Sequence, residues 1–150
     1  VATIPTIPGF TVGQLLGAAS LQSLADMATF LSAKSGGWFQ AHQSVAQSIA
    51  NATDVAITFP TEDVDTDGGH STSSNTSRYT AQTSGQYWVS GAYHSTGAAT
   101  DYGAWIRKNG TGGAFAYSRC ARPSSGDCYL PVGPVLVPMT TGDYVEPCQS

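Results

Sequence analysis

Asp63, Asp65, Asp67 and Gly68 stand in the order D-x-D-x-D-G, the first half of a calcium loop whose acidic oxygens suit a hard cation. The second half fails, because Ser74 occupies the twelfth position, where a bidentate glutamate belongs, and no helical pattern flanks the run. A solvated acidic turn is therefore the preferred reading and calcium the minority one. His42, His70 and His94 fall on separate predicted segments, without the i, i+2 or i, i+4 spacing that delivers two imidazoles to one metal. His94 marks either a strand end or a position near a threefold axis. Serine is abundant, yet there is no G-x-S-x-G turn to strain a nucleophile and no paired base and orienting acid. The carboxylates of TEDVD (61–65) sit in a predicted solvated loop, without the burial that would separate their pKa values for glycoside chemistry. The expectation is a protein that is not an enzyme and carries no cofactor.

Three cysteines remain. Cys120 and Cys128 flank ARPSSGD, a Pro/Ser/Gly loop, and either bridge across the ends of a hairpin or stay as buried free thiols. With Cys148 the number is odd, so one thiol is left over and the redox compartment is undecided. Asn51, Asn75 and Asn109 head Asn-x-Ser/Thr sequons, which chance supplies in a chain with Ser 17 and Thr 17. Charged residues make up only 11% of the 150, with Lys+Arg 6 against Asp+Glu 10 and a net charge of -4. Such a chain lacks the cationic field that nucleic-acid binding exploits through counterion release, so nucleic acid is excluded as the expected partner. No apolar run approaches the roughly 20 residues that cross a bilayer, and VATIPTIPGF has neither the basic start nor the apolar stretch of a signal peptide. The absence of an initial Met leaves room for a longer precursor.

The elements that must carry these residues change character one third of the way along. Pro5, Pro8 and Gly9 predict an extended entry, and from Ser20 to Lys34 the residues Leu21, Leu24, Ala28 and Leu31 recur at helical spacing. Ser20 is placed to cap this helix and Gly36 with Gly37 to end it. The apolar stripe is as narrow as a coiled-coil seam but covers under two heptads, too short to hold an oligomer together alone, so it either docks on its own domain or a neighbour or forms a seam. After Gly37 the period becomes 2: Val55, Ile57 and Phe59 share one face, Tyr87, Val89 and Tyr93 another opposite Trp88, and Tyr102, Ala104 and Ile106 a third opposite Trp105. Gly-bearing turns separate these stretches at 65–69, 83–85, 95–97, 108–110, 123–127 and 140–143. Pro131, Pro134 and Pro138 confine LPVGPVLVPM to an edge, a bulge or a crossing. The fold class expected is mainly β, an antiparallel sandwich of jelly-roll type after one short helix.

The runs SSNTSRYTAQTSGQYWVSGAY (73–93), WIRKNG (105–110) and GDYVE (142–146), in that order, resemble the jelly roll of tumour necrosis factor and the complement globular head. The matching elements are Gly85 with Tyr87, Lys108 with Asn109 and Gly110, and Gly142 with Asp143. Including DTDGGHSTSSNTSRYT and the lead-in PGFTVGQLLGAASLQSLADMATFL, the chain is similar to virion proteins of bacteriophages that infect actinobacteria, usually labelled minor tail proteins. In that family the jelly roll continues for two strands beyond the one opened by Gly-Asp, so either the chain continues past Ser150 or a partner completes the sheet.

The resemblance implies a structural virion protein, a minor tail protein or tail fibre, assembled in the bacterial cytoplasm and displayed as a homotrimer for adhesion to a host-surface glycan or protein. Residues 1–37 would form a docking segment toward other tail or capsid proteins, with Leu21, Leu24 and Leu31 as the docking stripe, and residues 38–150 the jelly roll. Most aromatics are expected in the core, and Trp88, Tyr93 and Trp105 are the candidates for burial between subunits. The alternatives are a capsid head fibre or decoration protein, and a calcium-assisted carbohydrate-binding module using Asp63, Asp65 and Asp67.

Overall fold

The computed structural model describes residues 18–33, 37–50, 53–96, 101–121 and 127–150. Pro5, Pro8, Gly9, Gly36 and Asn51 lie outside the described residues, and so does the side chain of Leu31. The chain divides into two units between Trp38 and Phe39, one residue beyond the expected boundary.

The first unit holds helix α1 (Ala18–Ala33). It begins before Ser20, which lies inside the first turn instead of capping it. Ser23 and Thr29 hydroxyls donate to the carbonyls of Ala19 and Ala25, four residues back, and the Gln22 amide donates to Asp26. The hydroxyls thus bond back to the turn before them, the usual way a Ser or Thr is accommodated inside a helix. Leu21 and Leu24 of the stripe are exposed.

The second unit is mainly β. Its strands are β1 (Phe39–His42), β2 (Val55–Ala56), β3 (Thr61–Asp65), β4 (Tyr79–Thr80), β5 (Gly85–Ser95), β6 (Asp101–Lys108), β7 (Thr111–Ala121), β8 (Cys128–Met139) and β9 (Tyr144–Gln149). All pairings are antiparallel. A five-stranded sheet runs β2-β9-β6-β7, with β4 also on β9; β5 pairs β8, and β1 pairs β3. The strand that Gly142 and Asp143 open, β9, thus lies inside a sheet, while β5 and β8 form a ribbon with no third strand among the described residues. TEDVD, expected as a loop, is strand β3, because pairing with β1 satisfies its backbone while leaving Glu62 and Asp63 exposed.

One core lies between the five-stranded sheet and the ribbon. Ile57, Tyr79, Tyr102, Ala104, Ile106 and Val145 meet Tyr93, Leu130, Val132, Val137 and Met139 in a single buried cluster. The period of 2 explains this: on β8 the positions from Cys128 alternate buried and exposed, and the alternation slips once, at Gly133 and Pro134. Gly133 has φ 85°, and a Cβ there would stand 2.5 Å from the Val89 carbonyl oxygen, so only glycine fits where the ladder is irregular between Val89 and Gly91. The β6–β7 turn likewise needs two positive φ values, supplied by Asn109 (54°) and Gly110 (68°).

Candidate functional site

The acidic run does not converge on a point. Asp63 Oδ2 stands 3.0 Å from His42 Nδ1 across the β1–β3 pair. Asp65 accepts the backbone N–H groups of Gly68 (3.0 Å) and His70 (2.8 Å), closing the turn after β3. Burial works to raise the Asp65 pKa, but the N–H groups of His70, Gly69 and Asp67 outweigh it and hold the carboxyl below its ordinary value. Asp67 accepts the Tyr79 hydroxyl at 2.8 Å, and burial first, then this bond, pushes the phenol up. Each carboxylate thus has its own structural partner. Among the described residues no group of three His, Cys, Asp or Glu side chains is placed to hold a metal.

The histidines separate as their spacing predicted. His70 lies between two backbone carbonyls, Nδ1 2.8 Å from that of Arg78 and Nε2 3.0 Å from that of Phe59, and whichever nitrogen carries the proton donates it to one of them. His94 contacts Asp127 at 3.1 Å and stacks on Tyr129 with ring centroids 4.4 Å apart, at the end of the ribbon.

A charge centre that sequence reasoning missed is Glu146 on β9, 2% exposed. It takes Arg107 Nε at 2.9 Å, Arg78 Nε at 3.5 Å and the Ser77 hydroxyl at 3.3 Å, while the Arg78 guanidinium lies 4.1 Å over the Tyr144 ring. A single glutamate in YVEPC carries no local signal; only the register of β6 on β9, which sets Arg107 opposite Glu146, reveals the pair. Between Gly69, Ser71, Ser74, Asn75, Arg78 and Thr80 lies an open polar cavity of ≈ 260 Å³.

The interface candidates part company. Trp88 stands outward on β5, 71% exposed, opposite Leu136 of β8. Tyr93 is corrected: its position on the same strand is of opposite parity, so the pleat turns it into the core, where burial pushes its phenol up. Trp105 lies on the other sheet, half-buried and stacked on Tyr117 at 6.1 Å. No single patch holds all three. Of the other aromatics, Tyr79 and Tyr102 are buried and Phe39, Phe59 and Tyr87 pack half-buried against the core, while Trp38, Phe115, Tyr117 and Tyr129 are exposed.

Cys120 and Cys128 form a disulfide that joins the end of β7 to the start of β8. Cys148 is free and buried, its thiol pushed up to about 11 by burial, which makes it a poor nucleophile. Among the described residues no helix is long and apolar enough to cross a membrane. No protein-family model matches the chain, and no curated protein matches it.

Proposed function

We propose that the chain is a structural virion protein of a bacteriophage, a minor tail protein or tail fibre that acts as a homotrimer and displays its β domain to the host surface. The observation that carries the reading is the position of the motifs. Gly85 opens the ribbon strand β5, Asn109 and Gly110 make the β6–β7 turn, and Gly142 with Asp143 opens the interior strand β9. A tumour necrosis factor-like jelly roll is the finer reading of the two packed antiparallel layers. The exposed, hydroxyl-rich surface fits adhesion better than catalysis: His70 is bound by carbonyls, Cys148 is buried, and the acidic side chains serve turns and ion pairs.

Residues 1–37 serve particle docking. Deleting residues 1–34 leaves the β unit folded by circular dichroism and removes the chain from purified particles. Wild-type occupancy of the truncated chain in particles would contradict the reading. The cavity beside Arg78 favours a second reading, a carbohydrate-binding module; saccharide binding on a glycan array that is lost in Asn75→Ala, which lines the cavity, would select it.

A further inference from the structure

We infer that the outer face of the β5–β8 ribbon is the surface by which copies of this chain bind one another; the inference rests on the trimer reading and names the face it uses. Two sheet faces expose aromatics, and they differ in charge and in edge. On the ribbon, Trp88 and Tyr129 are each 71% exposed and Leu136 45%, with Ala92 and Pro131 paired between them. Side chains so large are left in water at a cost of about 25 cal/mol for every Å² of apolar surface, which a covering partner recovers.

The outward positions from Gln86 to Ala92 and from Pro131 to Pro138 carry no Lys, Arg, Asp or Glu. At one end His94 contacts Asp127 and stacks on Tyr129, so that end carries the Asp127 charge. At the other end Lys108, paired with Asp143, donates to the Pro138 carbonyl at 2.9 Å, so the stretch a second copy can cover without stripping water from an ion is the uncharged middle around Trp88 and Leu136. The rival face, with Phe115 and Tyr117 on β7, carries Arg119 paired with Asp101 and Arg107 paired with Glu146, and covering it desolvates those ions.

Area and edge agree. Ten register pairs at about 3.4 Å per residue, two strands wide, make a strip with a footprint of about 330 Å², so the face approaches the roughly 800 Å² per partner of a stable interface only together with the open β5 edge. On β8 the residues Pro131, Pro134 and Pro138 remove backbone donors, the usual way of blunting an edge, whereas β5 contains no proline and keeps every N–H along its length. The unblunted edge and the apolar face belong to one contact surface centred on Trp88.

Sedimentation equilibrium on the full chain tests this. Wild-type protein assembles at micromolar concentration; Trp88→Asp and Leu136→Asp each weaken association by about 30-fold or more, as truncation of an interface centre does, and Tyr117→Asp changes it less than threefold. A second arm is independent of those variants: with Trp38→Phe and Trp105→Phe, Trp88 is the sole tryptophan, and its emission shifts to the red as dilution dissociates the protein. Assembly that survives Trp88→Asp but is lost in Tyr117→Asp overturns the choice of face and leaves the trimer standing, as does an emission that stays constant through dissociation. A wild-type monomer overturns both.

Discussion

Glu146 is 2% exposed, and it neutralises two guanidiniums from different parts of the chain, Arg107 on β6 and Arg78 ahead of β4. Removing a buried partner leaves charges that neither water nor protein fully compensates. We expect Glu146→Ala to lower stability by about 2–4 kcal/mol, reduced from the deeply buried case by the partial exposure of both arginines. Urea unfolding at neutral pH measures it, and a loss under about 0.5 kcal/mol would show that the arginines rehydrate freely. At this scale the sequence was informative where a residue's role is local. The DTDGG turn was legible, because Asp65 closes it on the N–H groups of nearby residues, Gly68 and His70. Glu146 was invisible, because its meaning depends on β9 lying against β6, a pairing 39 residues apart in the chain.

Among the elements, two turns clamp each other. Asp143, in the turn before β9, accepts Lys108 Nζ at 2.7 Å, Asn109 Nδ2 at 2.8 Å and the Thr140 backbone N–H at 2.8 Å, while Asn109 Oδ1 accepts the Tyr144 N–H at 2.9 Å. Lys108 first, then Asn109 and Thr140, hold the Asp143 carboxyl well below the usual carboxylate range. Its folded-state pKa is therefore depressed below the unfolded value of about 3.9. The stabilisation is complete above that value and is lost as the pH falls through the folded-state pKa. Asp143→Asn should lower the urea midpoint at pH 7, with the gap to wild type narrowing below about pH 4; a gap independent of pH would mean the charge is irrelevant to the clamp. Strands with Gly-bearing turns were legible from period and turn chemistry, and so was the proline-marked β8. What periodicity lacks is strand order: it separated Tyr93 from Trp88 by parity, yet it could not say that Trp88 and Trp105 belong to different sheets.

For the whole molecule, the chain is a helical unit followed by a β unit whose core is closed but whose surface carries uncovered aromatics. With only six Lys and Arg side chains in 150 residues, the proposed trimer has few ion pairs to draw on and rests on burial of apolar surface. Three copies would present the same loops three times, and linked weak sites of that kind gain apparent affinity without new contacts. Composition foretold this economy of charge, while the partner itself lies beyond what residue patterns encode. The mass of the wild-type chain in solution decides for or against the proposed trimer. Light scattering at about 20 µM should return about 46 kDa, three copies of the 15.5 kDa chain, and a well-folded particle of 15.5 kDa would contradict it.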